Sequence, residues 1–264
     1  MDLLSANPWA VIAAGGFVIG FLIGITGVGA GSLTTPLLIW VGYPPAIAVG
    51  TDLLFASLTK ASAAWRHQRL GNVNWGILGW LALGSLPGAL AMLGWLYYAK
   101  PDTHILAATI RQVLAIALVV SSVSILVSAW LRRRQPAEEH AATNIPPRRL
   151  PTLVFGLVLG ALVALTSVGA GAIGVTVLMG LYPALLARRV VGTDIVHAIP
   201  LTLVSGLGHL GMGNVDLTLL AALLAGSVPG ILIGSRITGL IPDWLLRVAL
   251  SLILLYAAYA IFNR

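Results

Sequence analysis

The sequence predicts an all-α polytopic membrane protein with two inverted-topology repeats, each a glycine-broken re-entrant hairpin followed by three transmembrane helices. Three observations predict this fold class. Long stretches carry no charged residue, four short motifs recur in the same order in both halves of the chain, and the basic residues fall in different loops of the two halves. We therefore expect both repeats to form one membrane domain.

The charge-free stretches predict the membrane location. Charged residues make up 9% of the 264 residues and hydrophobic residues 58%, whereas a soluble domain carries about 25% charged residues. No Asp, Glu, Lys or Arg occurs between residues 3 and 51 or between 150 and 187. About 20 apolar residues cross a bilayer, so we expect a multi-pass protein of the cell membrane, in a bacterium or archaeon the inner membrane. The first stretch follows no basic segment, so we do not read it as a cleaved signal peptide.

The same composition argues against several functional classes. A chain without cysteine has no disulfide, thiolate metal site or cysteine nucleophile. The net charge of +7 fits membrane orientation better than nucleic-acid binding, because the basic residues lie between apolar spans and no aromatic stacking platform accompanies them. The spans hold too few carboxylates and no histidine cluster for a metal ion, and no phosphate-binding GxxxxGK[ST] loop occurs. We expect no cofactor, no metal, no nucleic acid and no enzymatic activity.

An internal repeat organises the chain. Four motifs recur in the same order. The glycine motif 26–31 (TGVGAG) returns at 166–171 (TSVGAG), and GTD at 50–52 returns at 192–194. His67 followed by GNV at 71–73 returns as His209 followed by GNV at 213–215, and 84–88 (GSLPG) returns at 226–230 (GSVPG). The offset is 140 residues for the first motif and 142 for the others, so the second copy holds a two-residue insertion. We divide the chain into a first repeat (1–131), a cytoplasmic linker (132–149) and a second repeat (150–264).

Each copy begins with an apolar stretch that the glycine motif interrupts, at 8–42 and at 152–182. An unbroken helix over the first stretch would be about 52 Å long, and only about 16 Å of helix remains after its glycines. The sequence predicts a re-entrant hairpin, in which a half-helix returns to the starting side, and leaves a mid-helix break as the alternative. Plainer helices follow near 46–65, 74–98 and 104–131, and near 190–208, 215–238 and 243–262.

Basic residues predict the orientation of the copies. Arg66 and Arg69 follow the second helix of copy one, whereas Arg188 and Arg189 follow the hairpin of copy two. Cytoplasmic loops collect Lys and Arg, so the two copies should lie in opposite orientations, with both termini outside. A rival topology, with four crossings per copy and cytoplasmic termini, gives a smaller excess of basic residues on the cytoplasmic side.

The glycine tips are the candidate binding site. In transporters with inverted repeats, the site forms near the midplane where broken helices meet. The start of each half-helix offers free N–H groups and the positive end of its dipole to an anion, although glycines also serve close helix packing. The predicted substrate-binding residues are Thr26, Gly27, Gly29, Gly31 and Ser32 in the first tip and Thr166, Ser167, Gly169 and Gly171 in the second.

Polar and charged residues inside the second helix of each copy are candidates for coupling or gating. These residues are Thr51, Asp52, Lys60, Thr193 and Asp194. Carboxylates inside a membrane are costly and usually functional, which suggests proton coupling; the alternative is that they cap helix N-termini. Lys60, about 21 Å along its helix, either snorkels to water or adds charge to an anion path.

The sequence resembles the TauE/SafE family, also called the toluene-sulfonate uptake permease family. The resemblance covers nearly the whole chain and rests on these motifs and their copy-two equivalents: 27–31 (GVGAG) with Pro36 and Leu37, 48–52 (AVGTD), and 66–75 (RHQRLGNVNW). It implies membrane transport of sulfur-containing anions. Ala30 and Ala170 stand where the family usually has glycine, and copy two lacks a proline matching Pro36.

We therefore expect a secondary transporter of small sulfur-containing oxyanions such as sulfite, sulfonates or sulfoacetate, coupled to protons. Its partners would be this inorganic or organosulfur anion and the lipid bilayer, with a homodimer as one option. A passive anion channel on the same scaffold is the first alternative. A remote alternative is an intramembrane serine protease, with Ser32 or Ser167 as nucleophile and His209 or His197 as base.

Overall fold

The computed structural model describes residues 8–26, 31–133, 145–237 and 242–263, and within these ranges the chain forms α-helices and no strand. The helices are α1 (Pro8–Thr26), α2 (Gly31–Val41), α3 (Pro45–Arg69), α4 (Trp75–Ala99), α5 (Thr103–Arg133), α6 (Arg149–Thr166), α7 (Ala172–Leu181), α8 (Ala187–Gly211), α9 (Leu217–Ile237) and α10 (Asp243–Phe262). Six described helices, α4, α5, α6, α8, α9 and α10, are long and apolar enough to cross a membrane. The predicted all-α polytopic membrane fold is confirmed.

The outer surface of the helices fits a bilayer. Large apolar side chains are exposed along α4, α5 and α10, among them Leu83, Leu90, Ile116, Leu252 and Tyr256. A surface of this kind is too apolar for water. In a membrane it contacts lipid tails, while the helices satisfy their own backbone groups.

The chain reverses direction at both glycine breaks. In copy two, the backbone N–H of Arg148 donates to the hydroxyl of Tyr182 at 2.9 Å, and the same hydroxyl bonds Thr152, so the end of α7 lies beside the start of α6. In copy one, a Cβ built on Gly15 of α1 would lie 3.1 Å from Leu37 Cδ2 of α2. A helix that simply continued would separate these two residues by about 33 Å. The breaks are hairpin tips rather than mid-helix breaks.

Rows of glycines join the first helix of each hairpin to a helix of the other copy. A Cβ on Gly20 of α1 would lie 2.6 Å from Ser227 Cα of α9, so no larger residue fits there. The same kind of contact joins α6 to α4, where a Cβ on Gly160 would lie 2.8 Å from Ser85 Cα. The glycines of these two contacts recur every fourth residue: Gly16, Gly20 and Gly24 on α1, Gly226, Gly230 and Gly234 on α9, Gly84 and Gly88 on α4, and Gly156 and Gly160 on α6. Small residues at this spacing let membrane helices pack backbone to backbone, which explains the repeated GS(L/V)PG motif.

Helices that correspond in the two copies run antiparallel to each other. Gly50 near the start of α3 faces His209 near the end of α8, and Gly192 near the start of α8 faces His67 near the end of α3. On α5 and α10, the hydroxyls of Ser122 and Ser251 are 2.6 Å apart, and Arg132, ten residues further along α5, lies within electrostatic range of Asp243 at the start of α10.

The repeated GTD motif ties each copy to the turn of the other. The hydroxyl of Thr51 accepts the backbone N–H of Asp216 at 3.1 Å, and the hydroxyl of Thr193 accepts that of Asn74 at 2.9 Å. Asn74 and Asp216 in turn cap α4 and α9 through their side-chain oxygens. The sequence predicts a coupling or gating role for Thr51 and Thr193; in the structure their hydroxyls bond the turns of the opposite copy.

Candidate functional site

Among the Asp, Glu, Lys and Arg side chains of the described helices, three are buried: Asp52 and Lys60 on α3 and Asp194 on α8. Both carboxyl side chains are 0% exposed and Lys60 is 8% exposed. The antiparallel register of α3 and α8 puts Lys60 near the centre of their crossing, with one carboxylate on either side along the helix pair. Lys60 interacts electrostatically with both. Opposite charges that attract each other in this way offset part of the cost of burying them.

Asp52 on α3 contacts α2, the half-helix of the same copy. It is the eighth residue of α3, whose N-cap is Pro44, so the alternative that Asp52 caps this helix is wrong. Its Oδ2 accepts a hydrogen bond of 2.6 Å from the hydroxyl of Thr35 on α2. The hydroxyls of Thr34 and Ser167 also lie close to the carboxylate.

Asp194 occupies the equivalent place at the N-terminus of α7. It is the eighth residue of α8, whose N-cap is Leu186, so it is not a cap either. The backbone N–H of Gly171 lies beside its carboxylate, and a Cβ built on Gly174 would overlap Oδ1 and lie 3.1 Å from Cγ. Neither oxygen makes a hydrogen bond of normal geometry with a described residue. The anionic group at this helix start is therefore a carboxyl group of the chain itself.

The second tip contacts all three buried charges. Ser167 lies beside Asp52, the carbonyl of Ala170 accepts a hydrogen bond of 3.3 Å from Lys60 Nζ, and Gly171 lies beside Asp194. Lys60 therefore does not snorkel to water, since its ammonium group is buried and bonded at the tip. This places a cation and a helix N-terminus within one site.

The other predicted residues of the second tip shape its backbone. Thr166 Oγ1 donates to Leu162 O at 2.8 Å and accepts the N–H of Val168 at 3.2 Å. Gly169 and Gly171 have φ values of +126° and +125°, which residues other than glycine rarely adopt. A side chain at Gly169 would point at α6, where its Cβ would lie 3.1 Å from Leu159 Cδ1.

The first tip is described only at its two ends. Gly27 and Gly29 lie outside the described residues, as does the side chain of Thr26 at the end of α1. Gly31 begins α2 as predicted. Ser32 is 8% exposed and lines an apolar crevice of about 450 Å³ between α1, α2 and α10. None of the residues that line this crevice is charged, so it does not suit an anion.

His197, which the sequence suggests only as the base of the remote protease alternative, has a partner that the sequence does not reveal. Its Nε2 lies 2.7 Å from the hydroxyl of Ser85 on α4, and its ring lies within electrostatic range of Lys60. The counterpart of His197 in copy one is Phe55, and this difference between the repeats could have marked it.

The serine–histidine pair does not resemble a protease dyad. Ser85 and His197 are both 0% exposed, and His197 Nδ1 has no acceptor among the described residues to orient the ring. A nucleophilic serine needs access to its substrate and a base that a third group holds in place. Neither Ser32 nor Ser167 is hydrogen-bonded to a histidine in the part of the chain that the structure describes.

Comparison with known proteins adds the family. The family model described as Sulfite exporter TauE/SafE matches residues 12–261. The chain is 37% identical to the probable membrane transporter protein YjnA of Bacillus subtilis, over 84% of this chain and 87% of the relative. It is 27% identical to the probable membrane transporter protein YdhB of the same organism, over 89% and 93%.

A more distant relative is archaeal. The chain is 25% identical to the probable membrane transporter protein MJ0441 of Methanocaldococcus jannaschii, over 78% of this chain and 73% of the relative. No solved structure matches the chain. The six helices that are long and apolar enough to cross a membrane and these matches agree on a multi-pass transporter of the cell membrane: the chain belongs to the sulfite exporter TauE/SafE family.

Proposed function

We propose that the chain is a proton-coupled secondary transporter of small sulfur-containing oxyanions, such as sulfite or a sulfonate. The family description supports the substrate class. The observation that carries the coupling is that Asp52 and Asp194, at equivalent positions of the two copies, each contact a half-helix: Asp52 at Thr35 of α2, and Asp194 beside Gly171, at the start of α7. That is the place where an oxyanion would also bind.

An ionised carboxylate and an oxyanion compete for this place. Both are negative, and both are attracted by the free N–H groups of the helix start and by Lys60. Protonation of the carboxyl group removes its charge, so the oxyanion can bind the N–H groups of the helix start and the ammonium group of Lys60 in its place. Binding of the anion is thereby linked to uptake of a proton, which is the requirement for coupled transport.

Alternating access would use an inverted arrangement of the two copies. The antiparallel pairs α3–α8 and α5–α10 support it, because a two-fold axis in the membrane plane relates equivalent helices in this way. With the cytoplasmic linker at 132–149, both termini would lie outside. The tips of the two hairpins would then enter from opposite faces and share the central site.

The experiment replaces each aspartate by asparagine and measures sulfite uptake into proteoliposomes. We expect Asp52→Asn and Asp194→Asn to lose uptake driven by a pH gradient while sulfite exchange at equal pH continues, because asparagine cannot take up a proton. Asp216→Asn is the matched control. Its counterpart in copy one is Asn74, which already caps α4, and asparagine caps about as well as aspartate.

If Asp52→Asn and Asp194→Asn both keep the wild-type pH dependence of uptake, the proposal of proton coupling through these residues is wrong. Sulfite flux that never exceeds its equilibrium distribution in the wild type, even with a proton gradient, would favour the passive channel instead.

A further inference from the structure

We infer that Lys60 makes the central site selective for singly charged oxyanions and fixes a ratio of one proton per anion, so that transport moves no net charge. The inference rests on the proposed function and names its substrate valence and its stoichiometry. It is carried by the charges that the described helices bury around the second tip.

Lys60 breaks the symmetry of the two copies. Its counterpart is Thr202, whose hydroxyl bonds its own helix at Ala198 O, 2.8 Å away. The site therefore contains two equivalent carboxyl groups but one ammonium group. An ammonium group has three donors, and Ala170 O takes one of them, which leaves donors for an anion at the tip.

The other side chains that face these charges from the described helices and the second tip are neutral. From α2 and the second tip come the hydroxyls of Thr34, Thr35 and Ser167. From α8 comes His197, whose Nε2 is bonded to the hydroxyl of Ser85 on α4. We count His197 as a neutral imidazole, because its Nδ1 has no acceptor among the described residues and the ammonium group of Lys60 opposes a second positive charge.

The charge balance then decides the stoichiometry. A buried site is least costly when its net charge is zero. Without substrate, zero is reached when Lys60 is charged, one of Asp52 and Asp194 is ionised and the other is protonated. With a monoanion, zero is reached when Lys60 is charged and both carboxyl groups are protonated. The two states differ by one monoanion and one proton.

A dianion does not fit this balance. Even with both carboxyl groups protonated, a dianion beside Lys60 leaves one uncompensated negative charge in the buried site. The carboxyl groups have no further proton to accept, so such an ion should be rejected by its charge rather than by its size. The proton enters with the monoanion from one side and leaves with it on the other.

Methanesulfonate and sulfate form the test pair, because both are tetrahedral sulfur oxyanions of similar size and they differ by one charge. Purified full-length protein in liposomes receives an inward proton gradient, and a potassium gradient with valinomycin sets the membrane potential. We expect methanesulfonate uptake at the same rate with and without a potential, and no competition from equimolar sulfate. A rate that follows the potential, or equal competition by sulfate, would overturn the inference.

Variants assign the effect to the lysine. Lys60→Met should weaken methanesulfonate binding by about 30-fold or more, because it removes one partner of a buried charge pair. Thr202→Val, at the counterpart position, should leave binding unchanged. Lys60→Arg keeps the charge and should keep the preference for methanesulfonate over sulfate. Binding is measured by titration calorimetry on detergent-purified protein whose thermal unfolding has been checked.

Wild-type affinity in Lys60→Met, or loss of the preference in a folded Lys60→Arg protein, would overturn the role of Lys60. If the Asp→Asn variants lose pH-driven uptake while wild-type transport responds to the potential, the proposed function stands and this inference fails. If no sulfur oxyanion is transported at all, both fail.

Discussion

Gly174→Ala tests whether the contact between Asp194 and the start of α7 is functional. The added Cβ would overlap Oδ1 of Asp194 and lie 3.1 Å from its Cγ. Real Cβ atoms essentially never come within 3.0 Å of another heavy atom. The carboxyl group is on a short side chain within a buried helix crossing, so it must turn away from the N–H of Gly171.

The cost follows from the interaction that is lost. The N–H of Gly171 lies beside the carboxyl group without the geometry of a full hydrogen bond, so the loss should stay below the roughly 1.5–3 kcal/mol of a full bond to an ionised carboxylate. Alanine otherwise favours a helix over glycine by about 1 kcal/mol, which offsets part of this loss. We therefore expect a folded protein with a small change in unfolding free energy and a clear loss of pH-driven uptake.

Sulfite-dependent proton uptake into proteoliposomes and thermal unfolding in detergent are measured side by side. Gly180→Ala on the same helix is the control, because nothing lies within 4 Å of a Cβ built there. It should leave transport unchanged and the unfolding temperature equal or higher. If Gly174→Ala transports sulfite with wild-type pH dependence, the position of Asp194 at the helix start has no role in coupling.

Two other predictions concern the fold. Gly88→Leu should destabilise the protein by about 3 kcal/mol or more, because its Cβ alone would lie 2.9 Å from the carbonyl carbon of Leu157; Gly94→Leu on the same helix, where a Cβ meets nothing within 4 Å, should be tolerated, and equal loss of folded protein in both would contradict the packing argument. A single cysteine at residue 140 of this cysteine-free chain should react with an impermeant thiol reagent only when the cytoplasmic side is opened. Its labelling from outside intact cells would rule out the proposed orientation.

Local sequence predicted the elements of this fold better than their contacts. The glycine motifs placed the ends of α1 and α6, and the length of the apolar stretches favoured a hairpin over a mid-helix break. The role of Asp52 was left open between a cap and a coupling group, because its distance from the start of α3 depends on where that helix begins. The bond to Thr35 lies on another helix, and apolar periodicity says nothing about which helices cross.

Contacts between the two copies were the hardest features to predict from the sequence. Lys60 and Ala170 are 110 residues apart, and the serine–histidine pair of Ser85 and His197 is separated by 112. The sequence assigns both the threonine and the aspartate of the GTD motif to coupling or gating, whereas in the structure the threonine bonds the turn of the other copy. Comparison of the two copies does help to identify the site. Positions where the copies differ, such as Lys60 against Thr202, mark residues that only one copy contributes to it.

The glycine stripe of α1 has a consequence for biosynthesis. Gly20 packs against Ser227, so the first helix enters the membrane long before its partner has been translated. About 200 residues separate them, and at about 5–20 residues per second this interval lasts about 10–40 s. Until then the stripe faces lipid or another protein. We therefore expect the first half of the chain to insert without reaching its final packing, and the native hairpin to form only when α9 arrives.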